Sequence, residues 1–224
     1  MGDRVEVLEK ISELVVSGLS SPNSELELSV GTRSGRSQFN TGVPFAHFKG
    51  LLDTLQESVG TWSEVSENTH CATYYFEDNI RVRYFVGKPP VCIKKTRTKS
   101  IDILCSGSPY ILRISLSEEL PKPDYKVVSN PNFVRLHQRW QFEYKKQWSY
   151  DLSKVATGTD KETACASLPI YEIELEYKLG SQPYPDPRQI SENILAKGID
   201  LIGRYNSQGV PIQIDTLVSR IWTA

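Results

Sequence analysis

The sequence has no apolar run long enough to cross a membrane, and its N-terminus lacks the basic, apolar and small-residue order of a secretory signal peptide. Its four cysteines contain no CxxC pair, so a disulfide scaffold is not indicated. The net charge is −1, which does not favour a nucleic-acid-binding surface over the whole molecule. We therefore expect a soluble intracellular protein without a membrane partner.

The sequence also lacks internal repeats, low-complexity segments and a clear domain boundary, so a single domain is predicted over residues 1–224. Helical spacing of apolar residues predicts helices at about 3–18, 45–58 and 188–204. Alternating polarity predicts strands at 24–33, 61–66, 70–77, 79–86, 91–97, 100–105, 110–117, 133–145, 147–155 and 169–178. Residues 31–40 and 157–163 are predicted loops, and Ile212 and Ile214 suggest an edge strand. This pattern predicts a mainly β (α+β) fold in which an antiparallel barrel, about 24–178, carries helices outside.

Carboxylates alternate with apolar residues in two predicted strands. Glu172, Glu174 and Glu176 would share one face of the last long strand, and Glu25 and Glu27 repeat the pattern near the N-terminus. Like charges side by side repel each other unless cations lie opposite. A divalent cation would turn the repulsion into coordination, because hard cations bind several oxygen ligands.

Basic residues alternate in the same way on other predicted strands. The pattern places Arg81 and Arg83 on one face of their strand, and Arg135, His137 and Arg139 on one face of another. In 91–97, Cys92, Lys94 and Thr96 would lie opposite Val91 and Ile93, so Lys94 is predicted on the charged face. Lys95, Arg97 and Lys99 are expected on the outer face or in loops.

Two interpretations fit these charged faces. An antiparallel sheet with one wet face is the more common arrangement. In a barrel whose charged face points inward, the apolar outer faces would receive the helices. The sorting of charge sign by strand favours this second arrangement, because a polyanion bridged to a divalent metal would satisfy both walls of the interior.

Seven short motifs occur in a fixed order along the predicted strands. They are Glu25-Leu-Glu27, Arg81-Val-Arg83, Ile93-Lys94-Lys95, Arg113-Ile-Ser115 with Glu119, Arg135-Leu-His137-Gln-Arg139, Asp151-Leu and Glu172-Ile-Glu174-Leu-Glu176. In this order they resemble the metal-dependent RNA triphosphatases of fungi, protozoa and large DNA viruses, which are triphosphate tunnel metalloenzymes. The resemblance covers residues 24–178 and implies a closed eight-stranded antiparallel β-barrel with helices packed outside. It also implies hydrolysis of the γ-phosphate of 5′-triphosphate RNA to 5′-diphosphate RNA, the first step of mRNA cap formation.

The resemblance implies a role for each matching residue. Glu25, Glu27, Glu174 and Glu176 would hold Mg²⁺ or Mn²⁺, since oxygen-only ligands suit these ions. The phosphate ligands would be Arg81, Arg83, Lys94, Arg113, Arg135, His137 and Arg139. Glu119 would orient the attacking water and act in catalysis with Arg81, Lys94, Arg135, Arg139 and Glu174. Asp151 and Glu172 would support these groups.

The chain departs from the related patterns at two positions. His137 stands where the family usually has a lysine, and a histidine is only partly charged near neutral pH. Ser29 stands where thiamine triphosphatases and other tunnel enzymes have the lysine of ExExK, which favours the RNA triphosphatase branch.

Two alternative functions remain open. One is a tunnel phosphohydrolase acting on inorganic tri- or polyphosphate, nucleoside triphosphate or thiamine triphosphate; the other is a non-catalytic barrel that binds RNA or another anion. The expected partners are the 5′-triphosphate end of nascent RNA and a capping guanylyltransferase, whereas the oligomeric state stays open. A kinetoplastid source with a nuclear protein is the first expectation. For a large DNA virus, the location would be cytoplasm or virion.

Overall fold

A computed structural model of the chain describes residues 4–34, 38–127, 129–179, 186–203, 209 and 211–221. In chain order the elements are α1 (Arg4–Leu19), β1 (Ser24–Ser34), β2 (Gln38–Thr41), α2 (Phe45–Glu57), β3 (Glu64–Tyr75), a 3₁₀ turn (Glu77–Asn79), β4 (Ile80–Phe85), β5 (Val91–Ser106), β6 (Tyr110–Pro121), β7 (Phe133–Tyr144), β8 (Trp148–Gly158), α3 (Lys161–Ala166), β9 (Ile170–Tyr177), α4 (Pro187–Ile202) and β10 (Gln213–Ile221). None of the helices in these ranges is both long and apolar enough to cross a membrane.

Eight strands close into a ring of antiparallel pairs. Their order is β5-β4-β3-β7-β8-β9-β1-β6, and β6 pairs with β5 to complete the ring. The remaining strands lie beside it, because β2 pairs with the end of β1 and β10 with the end of β5. The ring is therefore uneven, yet the predicted closed eight-stranded antiparallel barrel is confirmed.

The hydrophobic core lies outside the ring, between the sheet and the helices. Leu28 of β1 and Leu175 of β9 are fully buried there, together with Ile11 of α1 and Ile194 of α4. Burying each such side chain contributes roughly 1.5–3 kcal/mol. Because successive side chains of a strand point to opposite faces, a core outside the ring turns the charged residues inward. The prediction that helices pack outside the barrel is confirmed.

Two β-bulges join segments that the sequence predicts as separate strands. In β3 the register shifts between Ser66 and Thr69, and in β5 it shifts between Arg97 and Lys99. A bulge inserts one extra residue, so the side chains beyond it change faces. In β5, Arg97 lies on the inner face before the bulge and Asp102 lies on it afterwards.

Both predicted loops contain regular structure. Residues 31–34 belong to β1 and pair with β2, and residues 35–37 lie outside the described residues. The segment after β8 forms α3, whose Asp160 cap accepts a hydrogen bond from the Thr163 backbone N–H. A helix this short is fixed by its cap rather than by apolar periodicity, which explains why the spacing did not reveal it. The predicted edge strand is confirmed as the longer β10. The predicted helix limits at residues 3 and 204 also lie outside the described ranges.

Gly158 ends β8 beneath α3, where an added Cβ would lie 2.2 Å from the Ala164 backbone nitrogen. We expect Gly158→Ala to lower the free energy of unfolding by about 1–3 kcal/mol, because the backbone must shift to make room. Thermal denaturation followed by circular dichroism measures the change. Gly50→Ala in α2 is the control, since nothing lies within 4 Å of its added Cβ; it should stabilise by about 0.5–1 kcal/mol. Equal midpoints for the two variants would contradict this packing.

Candidate active site

The ring encloses a cavity of about 520 Å³ that is lined by side chains from all eight of its strands. Its charged lining residues are Glu25, Glu27, Arg81, Arg83, Lys95, Glu119, Arg135, Arg139, Asp151, Glu172, Glu174 and Glu176. A smaller compartment of about 280 Å³ shares part of this lining and adds Arg97 and Arg113. The two compartments together form one charged interior.

With one exception, the residues predicted for the site line these compartments. Lys94 instead lies on the outer face, where it pairs with Ile80 and Leu120. The prediction of Lys94 as a phosphate ligand and catalytic residue is therefore wrong. Near this end of the ring, Ile93 faces inward beside Arg81, although its apolar side chain suggested the outer face. Lys95 takes the inner position, so its expected outer location is wrong as well.

Lys95 lies among three carboxylates. Its Nζ is 3.0 Å from a Glu119 oxygen and 3.8 Å from a Glu27 oxygen, and it also donates to Glu25. Burial alone would lower the pKa of Lys95, but the charges of Glu27 and Glu25 outweigh it and raise the pKa. Lys95 therefore carries a fixed positive charge that links β1 to β6.

A hydrogen bond joins Glu25 and Glu119 across this cluster. Burial raises the pKa of Glu25 to about 9, with Glu27 adding to the shift against the opposing charge of Lys95. Burial also opposes ionisation of Glu119, but the hydrogen bond from Glu25 and the charge of Lys95 prevail and lower its pKa to about 2. The proton consequently resides on Glu25, and Glu119 is a carboxylate.

Two of the three β9 carboxylates, Glu174 and Glu176, have little compensation for their charge. Burial raises the pKa of Glu174 to about 8, with Glu27 and Glu172 contributing, and that of Glu176 to about 7, with Asp151 and Glu27 contributing. Within the described part of the chain, neither Glu174 nor Glu176 has a hydrogen bond or ion pair. Glu176 stands directly opposite Glu27 across the β1–β9 pair. Facing like charges of this kind favour the binding of a cation.

The carboxylate wall fits a hard divalent cation by its chemistry. Its donors are oxygens from Glu25, Glu27, Glu174 and Glu176, the type that Mg²⁺ and Mn²⁺ prefer. Over the described ranges, no group of three or more His, Cys, Asp or Glu side chains is already close enough to enclose a metal ion. Binding would therefore have to draw these carboxylates together and remove their protons.

The basic wall is formed mainly by β4 and β7. An Arg135 nitrogen lies 2.6 Å from both oxygens of Glu172, and Arg139 donates to Ser153 at 3.3 Å with Asp151 at 4.0 Å. Arg81 differs, because no carboxylate in the described chain forms an ion pair with it. Its guanidinium is thus free to bind an anion.

Arg113 and Arg97 lie in the smaller compartment. Arg113 makes two hydrogen bonds to buried Asp102, at 2.6 and 2.7 Å, so its predicted role as a phosphate ligand competes with this pair. Burial and the nearby charge of Arg113 lower the pKa of Arg97 despite the opposing charge of Glu27. No ion pair of Arg97 occurs among the described residues.

The interior contains three charged residues that the sequence reasoning missed: Lys95, Arg97 and Asp102. All three belong to β5, on either side of its bulge. The only sequence signal was the run of basic residues from Arg81 to Lys99, and such a run does not show which of its residues face inward. The roles of the other residues predicted for the site stay predictions.

His137 is buried between the charged residues of β7. Cys71 of β3 and Val155 of β8 stand opposite it, and neither ring nitrogen has a hydrogen-bond partner in the described structure. Burial, together with the positive charges of Arg135 and Arg139, lowers the pKa of His137 to about 3. It is therefore a neutral side chain at physiological pH.

This neutral histidine should make the protein sensitive to acid. Between its lowered pKa of about 3 and the ordinary value near 6.5, the unfolded chain binds the proton and the folded chain does not. Its contribution to the free energy of unfolding thus falls as pH falls through this window. As the pH falls from about 7.5 to about 5, we expect the free energy of unfolding of His137→Gln to rise by about 2 kcal/mol relative to that of the unmodified protein. Urea denaturation at each pH measures this difference. A constant difference across that range would show that His137 does not titrate in this way.

Comparisons with known proteins agree with this architecture. A family model described as the mRNA capping enzyme beta chain matches residues 71–183, half of the chain. No curated protein matches the sequence. The S. pombe Pct1 RNA triphosphatase shares the fold with a TM-score of 0.72 at 18% identity, over 87% of this chain and 91% of that chain.

Two further solved structures show the same fold. Pct1 in complex with the Spt5 CTD gives a TM-score of 0.68 at 19% identity, over 87% of this chain and 93% of that chain. The Mimivirus capping enzyme triphosphatase gives a TM-score of 0.61 at 16% identity, over 86% of this chain and 96% of that chain. Membership of a triphosphate tunnel metalloenzyme family implies a divalent cation. The chain belongs to the family of the mRNA capping enzyme beta chain and is an RNA 5′-triphosphatase.

Proposed function

We propose that the charged cavity is where the chain removes the γ-phosphate of 5′-triphosphate RNA. The observation that carries this proposal is the enclosure of a carboxylate wall, from β1 and β9, and a basic wall, from β4 and β7, within one ring. A triphosphate end bound together with a divalent cation would satisfy both walls. The products are RNA 5′-diphosphate and inorganic phosphate.

The carboxylate wall is the proposed metal site. Glu25, Glu27 and Glu176 would be the direct ligands, with Glu174 as a fourth. Mg²⁺ and Mn²⁺ are the proposed ions because all four donors are oxygens. A divalent ion bound there would polarise the γ-phosphate as a Lewis acid.

The basic wall would bind the phosphate oxygens. Arg81 is available without breaking an ion pair, whereas Glu172 and Asp151 hold Arg135 and Arg139 in place. Guanidinium groups match phosphate geometry with two parallel hydrogen bonds. Because the transition state spreads negative charge over the equatorial oxygens, fixed cations at these positions lower its energy. Lys95 would add a further cation at the metal side of the cavity.

Glu119 would orient the attacking water. Its pKa of about 2 keeps it ionised, so it can accept a hydrogen bond from water, but it makes it a weak base. The water oxygen then bonds to the γ-phosphorus, and the bond from that phosphorus to the bridging oxygen breaks. The water protons stay with the phosphate products, since Glu119 does not take one up. The leaving group is the RNA diphosphate end, and positioning supplies most of the rate enhancement.

The alternative tunnel phosphohydrolases act on free polyphosphates or thiamine triphosphate. Ser29, at the position of their lysine, donates a hydrogen bond of 2.8 Å to Glu27. A neutral hydroxyl there leaves one cation fewer beside the carboxylate wall, which favours the RNA substrate assigned above.

The partners and location also belong to this proposal. The 5′-diphosphate end is the substrate that a guanylyltransferase caps, so we propose such an enzyme as the functional partner. Pct1 has been solved in complex with the Spt5 CTD, and we propose a similar CTD as a second partner of this chain. A nuclear location is proposed for a cellular source, and the cytoplasm or the virion for a large DNA virus.

Phosphate release from 5′-triphosphate RNA tests the proposed function. We expect release with Mg²⁺ or Mn²⁺ and none with EDTA. Glu174→Ala should lower kcat by about 10²-fold or more, because the reaction loses a proposed metal ligand. The melting temperature should stay unchanged, because the fold does not depend on this carboxylate. Glu162→Ala, an exposed change in α3, is the control. Release from free triphosphate but not from RNA would move the chain to the alternative enzyme class.

The adjacent lysines of β5 give a matched pair. Lys95→Ala leaves Glu25, Glu27 and Glu119 without their shared cation, and we expect kcat/KM to fall by about 10²-fold. Lys94→Ala removes a charge from the outer face, so its kcat/KM should stay within about twofold of the unmodified enzyme. If instead Lys94→Ala were the damaging change, the β5 register described above would be wrong.

A further inference from the structure

An aromatic stack lies at the smaller compartment of the interior. Tyr75, at the end of β3, stands opposite Phe133, at the start of β7. Their ring centroids are 4.2 Å apart and the ring planes differ by 14°, so the rings are stacked in parallel. Neither ring belongs to the hydrophobic clusters of the described residues. The stack therefore faces the charged interior rather than the core.

The stack adjoins two of the proposed phosphate ligands. The Arg81 guanidinium lies 5.1 Å from the Tyr75 ring centroid, and an Arg135 nitrogen donates to the Tyr75 hydroxyl at 3.5 Å. Since β3 lies between β4 and β7, Arg81 and Phe133 approach Tyr75 from opposite neighbouring strands. The order across the wall is thus cation, tyrosine and phenylalanine.

Phe133 has an open side. Its side chain is 37% exposed, although it shares the inward face of β7 with Arg135. The pairing of β7 with β8 ends at Val134 and Gly158, so no β8 residue stands opposite Phe133 in the described chain. An exposed phenylalanine beside arginines gains little as packing, because burial is what makes an aromatic ring stabilising. A further flat ring could stack there.

We propose that Phe133 is the stacking platform for the base of the first nucleotide of the RNA, with Tyr75 supporting it from behind. The inference rests on the proposed function and deepens it. A ligand with phosphates at Arg81 and Arg135 and a flat ring next to them has the chemistry of a nucleotide 5′-triphosphate end. Bases stack on aromatic side chains with little regard to sequence, which suits an enzyme that acts on many transcripts.

The platform also gives the substrate a direction. Phe133, Tyr75 and Arg81 line the smaller compartment at one end of their strands. Arg139, Glu119 and Glu25 line the central cavity. With its base on Phe133, the RNA chain would lie at that end of the interior, and its γ-phosphate would lie in the central cavity. Inorganic triphosphate has no base and cannot use the platform.

A cycle of two changes tests the platform. One change is Phe133→Ala, and the other is a 5′-triphosphate RNA whose first nucleotide lacks its base. Each change alone should lower kcat/KM by about tenfold, the effect of losing one stacked base. Together they should lower it no further, because both remove the same contact. If removing the base lowers kcat/KM by the same factor in Phe133→Ala as in the unmodified enzyme, Phe133 does not hold the base and the inference fails.

Two control variants separate stacking from folding. Phe133→Trp keeps a flat ring and should retain the base effect. Tyr84→Ala removes an aromatic ring that is 43% exposed and packs edge-on to Tyr74, away from the cavity lining, and should leave kcat/KM unchanged. A loss in Phe133→Trp equal to that in Phe133→Ala would also overturn the platform.

A binding measurement distinguishes failure of the platform from failure of the proposed function. The probe is 5′-triphosphate RNA with 2-aminopurine as its first base. It is mixed with the protein in EDTA, so that binding is measured without hydrolysis. We expect the fluorescence to fall with the unmodified protein and with Phe133→Trp, but not with Phe133→Ala. Unquenched fluorescence with the unmodified protein overturns the inference. Quenching without phosphate release in the presence of metal would instead refute the proposed function and leave the platform standing.

Discussion

The charged interior of this ring depends on a hydrophobic core that lies outside it. In most small β proteins the apolar faces of the strands meet inside, and water covers the other faces. Here the helices α1, α2 and α4 cover the apolar faces of β1, β5, β6 and β9, so alternation directs every second residue of these strands into an enclosed polar space. Charges in such a space are costly unless they are paired or bound to a ligand. The whole site follows from this single inversion.

The same constraint explains how the walls are organised. Arginines with carboxylate partners, such as Arg135 with Glu172, are held in place before any substrate arrives. Groups without an ion-pair partner among the described residues, such as Arg81 and the β9 carboxylates Glu174 and Glu176, are left for ligands. Fixed and free charges thus divide the interior into supporting and binding positions, which is how an electrostatic site avoids reorganising during the reaction.

Much of this arrangement could be predicted from the sequence, because alternation fixes which residues share a face. The acidic faces of β1 and β9 and the basic faces of β4 and β7 were assigned correctly in this way. The inner position of Lys95 could not be predicted, since the apolar Ile93 lies on the inner face beside Arg81 and so places Lys94 outside. The bulge after Arg97 could not be predicted either, and its extra residue changes the face of the residues that follow. The pair of Arg113 with Asp102 and the stack of Tyr75 on Phe133 depend on which strands become neighbours. Alternation within one strand carries no information about that.

The charges lining the central cavity have one further consequence. Seven carboxylates and five arginine or lysine side chains line it, a surplus of two negative charges if all were ionised. Without metal, the raised pKa values of Glu25, about 9, Glu174, about 8, and Glu176, about 7, favour bound protons near neutral pH. A divalent cation bound by these carboxylates would displace protons from them. Metal binding would therefore release protons, and the affinity for the metal would rise with pH.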